Sequence, residues 1–310
     1  MRPGPLPVSA TIFRMPDYQF KLVDAFTSER YAGNSCGVVT DARGLSDEQM
    51  QAIAREINSS ETAFVTPSAV ADFRVRFFTP TKEIPLAGHP TIATMHALAE
   101  EGRIDLADGS RRVTQELNVG VLPVDVSRDD NGSIRVVMTQ AKPAFERTVL
   151  SRDAAAALGI AETDLLPGHP VQVVSTGTPQ LMVPLNSMDA LRRLQPRFEL
   201  LQQIEQAGRY FSTHVFTLET LDPVNRAHSR HYLLGSSIIE DPVTGSASGG
   251  MAAYLWKYGL VRAPRYAVEQ GHIMGRPGIV DIEVDGDGDE PQEVRIAGTA
   301  VTVLAGTLTV

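Results

Sequence analysis

The feature that most restricts what this chain can fold into is an internal repeat. Shifted by 157 positions, Glu83 falls on Glu240, Pro85 on Pro242, Gly88 on Gly245, Leu98 on Leu255 and Gly102 on Gly259, with Thr91 on Ser248. The identities are few, but they include a turn proline, a helix-opening glycine and a helix-closing glycine, which set backbone geometry. Each copy follows a strand bearing a basic side chain, Arg74 in the first and Arg230 with His231 in the second. An ordinary strand–turn–helix unit is the competing explanation. The preferred reading is two similar halves, each a sheet wrapped round one central helix that starts at a glycine-containing turn.

Length and composition agree with that reading. At 310 residues about two domains are expected. With 43% hydrophobic residues and a mean hydropathy of −0.08, the chain has globular values. Its net charge of −9, from 28 basic and 37 acidic residues, argues against nucleic acid or an anionic membrane as a partner. Cys36 is the sole cysteine, which excludes an intrachain disulfide, a cysteine-based zinc site and two-thiol chemistry. A reducing compartment, the cytoplasm, is the expectation. Residues 1–16, with three early prolines and no apolar stretch, read as a loose extension and do not resemble a signal peptide.

Local patterns place the elements. Ser46 with Gln49 makes a capping box, and Met50, Ile53, Ala54 and Ile57 form the stripe of a helix ending near Asn58. Strands are expected at 20–26, 62–66, 73–77 and across 113–138, and a helix from the turn at 85–91 to Gly102. Residues 141–152 read as a linker. Helices follow at 154–158 and 198–208, strands at 171–175, 181–185, 213–219 and 228–234, and a second turn and helix over 241–258. The end reads as strand, turn, strand around Gly298 and again around Gly306. Many short strands with few helices fit an α+β fold better than a parallel βαβ sheet.

Helix N-termini carry unpaired N–H groups and roughly half a positive charge, so two facing turns would favour an anionic ligand. The first turn carries His89; the second carries Asp241, Thr244, Ser246 and Ser248. Capping is the plain alternative for Ser246 and Asp241, and His89 stands between site residue and turn residue. Glu61, between Ser60 and Thr62 at a strand start, is either a solvated loop glutamate or a partly desolvated base. On the loop reading, Glu61→Gln leaves stability nearly unchanged. His169 repeats the Gly-His-Pro tripeptide ahead of a strand and reads as a surface turn. Asp285, Asp287 and Asp289 read as an acidic hairpin tip, because Glu290 and Ile296 occupy positions a calcium loop needs for Gly and Glu. His228 and His231 face opposite sides of one strand and make a poor metal pair. No credible metal constellation is found, and Cys36 reads as a packed thiol.

The runs VDAFT and AGN within 23–34, GLSDEQMQAIAREINSSETAFV at 44–65, FFTPTKEIPLAGHPT at 77–91 and EDPVTGSASG at 240–249 resemble the phenazine-biosynthesis (PhzF-like) isomerase family. The resemblance runs from about residue 18 to the C-terminus. It implies a diaminopimelate-epimerase-like fold of two similar domains with the active site in the cleft between them. The implied boundaries are 17–140 and 141–299, with 300–310 returning to the first domain. It also implies that Glu61 is the acid/base, joined by His89, Asp241 and Ser246, with Gly88, Thr91, Gly245 and Ala247 binding substrate. Fold relatives that racemise amino acids place a cysteine at each helix head; neither turn here has one.

The function implied is isomerisation without cofactor or metal, as for trans-2,3-dihydro-3-hydroxyanthranilate, in which one carboxylate moves a proton between carbons. The expected partner is a small anionic substrate, in particular a benzoate-like carboxylate with an ortho amine or hydroxyl held near Gly245 and Ser246; a homodimer is compatible with the sequence. The alternative is a non-catalytic ligand-binding or interaction protein on the same fold.

Overall fold

The computed structural model describes residues 17–129, 131–234 and 239–310, so the expected N-terminal extension lies outside the described residues. The first stretch runs β1 (Asp17–Ala25), β2 (Asn34–Val39), α1 (Asp47–Ile57), β3 (Glu61–Thr66), β4 (Phe73–Phe78), β5 (Glu83–Ile84), α2 (His89–Glu100), β6 (Ser110–Leu117), β7 (Gly120–Arg128) and β8 (Ile134–Thr139). The second runs β9 (Ala144–Val149), α3 (Ser151–Leu158), β10 (Val171–Ser175), β11 (Pro179–Leu185), α4 (Met188–Arg192), α5 (Phe198–Gly208), β12 (Ser212–Thr217), β13 (His228–Tyr232), β14 (Glu240–Asp241), α6 (Gly245–Lys257), β15 (Arg265–Gln270), β16 (Gly278–Asp287) and β17 (Glu290–Thr309). It is a mixed sheet with a few helices, an α+β fold.

Strand pairing repeats in detail. β1–β2 is antiparallel, β2–β3 parallel, β3–β4 antiparallel and β4–β6 parallel. In the same order, β10–β11 is antiparallel, β11–β12 parallel, β12–β13 antiparallel and β13–β15 parallel. β17 serves both stretches: its first part pairs with β16 and β8, and its last part runs along β1 from Ala300 to Thr309.

The two central helices explain why a sheet must surround them. Every residue of α2 from His89 to Ala99 is buried, and α6 is buried from Ala247 to Leu255. A helix apolar on all sides needs cover on all sides. By contrast α1 packs one face on the outside of the sheet, with Met50 and Ala54 buried. Its capping box at Ser46 and Gln49 and its left-handed C-cap at Asn58 are as the sequence predicts.

Three expectations need correction. Residues 144–149 are not linker but the strand β9, paired with β10. The C-terminus is not strand, turn, strand: β17 is one strand of 20 residues. Gly298 is there because a Cβ would lie 2.5 Å from the Phe26 ring, not because the chain turns. The repeat also aligns Arg230 with Arg76 rather than Arg74, since Arg76 pairs Glu83 as Arg230 pairs Glu240. The strands β15 and β16 and the short helix α4, capped by Ser187, have no counterpart in the sequence reading. No helix among the described residues is long and apolar enough to cross a membrane.

Candidate active site

The site is assembled from a loop and two helix starts. After β1 the chain bends through Phe26, at φ 64°, to Gly33, at φ 59°. A Cβ on Gly33 would lie 2.2 Å from the Ala25 carbonyl oxygen, so only glycine fits. Arg276 clamps this loop, donating to the Gly33 carbonyl at 2.9 Å and to the Asp24 carboxylate and Ala32 carbonyl at 2.8 Å each. The clamp delivers Asn34 to the centre. Its amide donates to Asp241 Oδ1 at 2.8 Å and to the Val243 carbonyl at 2.9 Å, and its oxygen accepts from Ser60 at 3.3 Å.

Glu61 is not a solvated loop residue. It opens β3 beside Cys36, and its side chain is only 19% exposed. Oε2 lies 3.2 Å from His89 Nε2 and has no conventional donor. The two Asn34 amide protons go to Asp241 and Val243, so none is left for His89 Nδ1, 3.2 Å away. With the Asn34 protons spent, the ring proton belongs on Nδ1, the Ser35 backbone accepts from the ring, and Nε2 is left as an acceptor facing Glu61 and the Ser60 hydroxyl.

Electrostatics separate the three ionisable groups. Burial lowers His89 to about 3, so its ring is neutral. Burial first, and then the charge of Asp241, push Glu61 up to about 8 against the Ser60 hydroxyl. Burial also raises Asp241, but hydrogen bonds from Thr244 and Asn34 hold it to about 6. Near neutral pH the proton sits on Glu61 and the charge on Asp241. Two carboxyls pushed apart in this way suit one to carry a proton and the other to anchor a cationic or hydroxyl group.

The second turn is built differently from expectation. Neither Ser246 nor Asp241 is an N-cap: Asp241 lies in β14 and Ser246 is the second residue of α6. α2 and α6 both begin without a side-chain cap, at Gly88 and Thr244. Their free ends meet, since a Cβ on Gly88 would lie 3.6 Å from Ser246 N. Gly245 is tight against Phe26 and Ile296. Gln270 braces this turn, donating to the Asp241 carbonyl at 2.8 Å and accepting from Thr244 N at 3.0 Å. Ser246 Oγ accepts from Gln180 at 3.3 Å. Glu61, His89 and Asp241 are thus brought together, with Gly88, Gly245 and Ser246 alongside. Ala247 is fully buried, and Thr91 spends its hydroxyl on the Ala87 carbonyl at 2.8 Å, in the turn just before α2. Sequence reasoning missed Asn34 and Gln270. Asn34 lay in a quoted run, but no spacing rule reveals a bond across 207 positions.

On β13, His231 pairs with Asp241 in register and meets His214 (Nδ1 to Nδ1 3.1 Å), while His228 meets Glu269 at 2.7 Å, as opposite faces require. The fold also gathers His228, Glu269 and His272, one ligand-type atom from each lying within 4.8 Å of the others, a grouping the sequence does not show. Cys36 is fully buried, and the Asp285–Asp289 segment forms the β16–β17 hairpin tip.

A family model described as "Phenazine biosynthesis-like protein" matches residues 23–306. The chain belongs to this family. An uncharacterized isomerase of Clostridium acetobutylicum is 38% identical, covering 94% of this chain and 98% of that protein. Trans-2,3-dihydro-3-hydroxyanthranilate isomerase of Pseudomonas chlororaphis is 31% identical, covering 94% and 99%. The crystal structure of a Bacillus anthracis phenazine biosynthesis protein of the PhzF family superposes with TM-score 0.84 at 34% identity, covering 96% and 100%. A hydroxyproline epimerase from Agrobacterium vitis, with TM-score 0.65 at 13% identity over 95% and 92%, shares the fold alone. Like its family, this protein is an isomerase.

Proposed function

We propose that the protein is a cofactor-independent isomerase that moves a proton between carbons of a small carboxylated amino or hydroxy acid. The observation that carries this reading is Glu61: a buried carboxyl raised to about 8, with no conventional donor on Oε2 and a neutral imidazole beside it. Ionised Glu61 takes a proton from a carbon adjacent to an unsaturated system, and the electron pair of that C–H bond moves into the system. The resulting carboxylic acid returns the proton to another carbon on the same face. One C–H bond breaks, one forms, and no oxidant is consumed. A carboxyl with its pKa near the working pH suits both halves of the exchange.

His89 Nε2 accepts from protonated Glu61 and fixes its orientation. Asp241 engages an amine or hydroxyl of the substrate, and the uncapped start of α6 near Gly245 and Ser246 receives the carboxylate. Residues 17–140 and 141–299 act as two domains with 300–310 returning to the first, and the site lies between them. The pairing of β17 with β1 supports that division.

Incubation in D2O with cyclic unsaturated amino and hydroxy carboxylates, followed by NMR, tests the reading. Deuterium should enter at carbon, at a rate that rises with pH toward about 8 as Glu61 ionises. Exchange that persists undiminished in Glu61→Gln would sink it.

A further inference from the structure

We propose that Asn34 is a positioning residue that decides which of the two buried carboxyls, Glu61 or Asp241, carries the proton. The inference rests on the reading of those carboxyls given above, and it assigns a role to a side chain that bonds Asp241 directly and reaches Glu61 through its neighbour Ser60.

Asn34 is 2% exposed and stands between the two turns. Its amide protons both cross to the second half of the chain, to Asp241 Oδ1 and the Val243 carbonyl. Its oxygen accepts from Ser60, the neighbour of Glu61. An amide presents donor and acceptor at once, and here the donor faces the Asp241 carboxylate and the acceptor faces the Ser60 hydroxyl beside Glu61. The donor stabilises the ionised form of Asp241. The acceptor orients the Ser60 hydroxyl toward itself, in competition with His89 Nε2, and that hydroxyl is the side-chain donor available to Glu61. Both effects send the negative charge to Asp241 and the proton to Glu61. Asp241's other oxygen accepts from Thr244, so two neutral donors carry the whole task.

Among the described residues, no cation competes for it. The ionisable groups facing Asp241 are Glu61 from β3, neutral His89 from α2, and His231 from β13, which burial also keeps neutral. Arg276 is committed to Asp24 and to the Ala32 and Gly33 carbonyls, and Arg230 to Glu240. The strained loop that Gly33 permits and Arg276 holds therefore has a purpose beyond folding: it places a neutral hydrogen-bonding group where a charged one would override the balance.

The test is carboxyl 13C NMR titration, which needs no substrate. In the wild type Asp241 should titrate below Glu61. In Asn34→Ala the Asp241 step should move up by about one pH unit or more, and the Glu61 step down, because a protonated Asp241 no longer repels its charge. Thr244→Val, a smaller change of shape, should move Asp241 in the same direction. The wild-type protein supplies a check that no folding defect can spoil: the Asn34 side-chain amide proton should shift with the Asp241 midpoint. An amide proton that ignores that titration, or an Asp241 step unmoved in folded Asn34→Ala, overturns the proposal. Failure of Glu61→Gln to abolish deuterium exchange would overturn the proposed function while leaving these titrations interpretable.

Discussion

Arg76 and Arg230 hold the same post in the two halves of the molecule. Arg76 bonds Glu83 through two nitrogens at 2.8 Å each and lies over Phe78; Arg230 bonds Glu240 in the same way and lies over Tyr232. Each clamp precedes a turn and a buried helix. Past the clamps the halves part company. His89 and Ser246 lie 157 positions apart, so histidine in the first turn faces serine in the second. Strand register matches Glu61, beside Cys36, with Ser212, beside Gln180. The scaffold is duplicated and the chemistry is not. On the proposed function, one half holds the proton-transfer pair, and the other holds the counter-charge, Asp241, and an open helix end.

The sharpest way to break that asymmetry is to remove the proposed base. Glu61→Gln should lower kcat at least ~100-fold, whereas Ser212→Ala at the matching place should change it by less than about fivefold. Equal losses from the two variants would mean that both halves take part in proton transfer. Stability should move the other way. Folded Glu61 binds its proton far more tightly than the unfolded chain does, so its contribution is complete below about 4.5 and is lost as pH rises to about 8. The Tm of Glu61→Gln should therefore exceed that of the wild type above about pH 5, with the gap widening to about pH 8. A constant gap over that range would place Glu61 in solvent, as the loop reading has it.

The clamps should be interchangeable in strength. Replacing Arg76 or Arg230 by leucine strips a half-buried glutamate of its paired donors, and hydrogen bonds to charged groups contribute about 1.5–3 kcal/mol. We expect losses of that order from each, with Arg76 slightly the larger because it also reaches Asp47 on α1. Denaturant midpoints with unchanged m-values would check this. A large loss on one side only would show that the shared geometry hides unequal support.

How much of this was legible in the sequence follows the same divide. Periodicity and capping revealed α1, because an outer helix has one wet face and one dry face. The repeat revealed α2 and α6, which are buried all round and have no such contrast, only through their turns. β17 misled, because glycine in a strand was read as punctuation when at Gly298 it makes room for a ring. At the site, Glu61, His89, Asp241 and Ser246 came from family resemblance more than from spacing. Asn34 and Gln270 were invisible because their meaning lies in partners 207 and 29 residues away. Local rules see caps and stripes. They do not see which loops a closed sheet brings together.

A smaller effect probes the open helix end. Ser246→Pro removes one N–H from the first turn of α6, and α2 carries Pro90 within its own first turn, so the helix should tolerate it. Helix-end interactions amount to about 0.3–2 kcal/mol, which is roughly a 2- to 30-fold loss of affinity for a benzoate-like carboxylate. Calorimetric titration of an ortho-amino or ortho-hydroxy benzoate measures it. Unchanged affinity in a well-folded variant would move the carboxylate elsewhere.

The smallest expected effect is none at all, and the comparison of halves supplies the reason. His228, Glu269 and His272 form a group that could hold a metal ion. Its counterpart in the first half is the pair Arg74 and Glu116, joined across β4 and β6 as His228 and Glu269 are joined across β13 and β15. In both places the glutamate also ties down the loop before the strand: Glu116 accepts from Ser68, and Glu269 accepts from Leu221 N, Asp222 N and Asn225. Burial alone would raise Glu269, but these four donors, with His228 the fourth, hold it below the usual carboxylate range. Each of its oxygens already accepts two hydrogen bonds, so a cation would have to displace donors that fix the loop. The group is a loop strap with histidine in arginine's place. Exhaustive EDTA treatment should leave Tm and deuterium exchange unchanged. A fall in Tm reversed by a divalent ion would show instead that the second half turned a shared ion pair into a metal site.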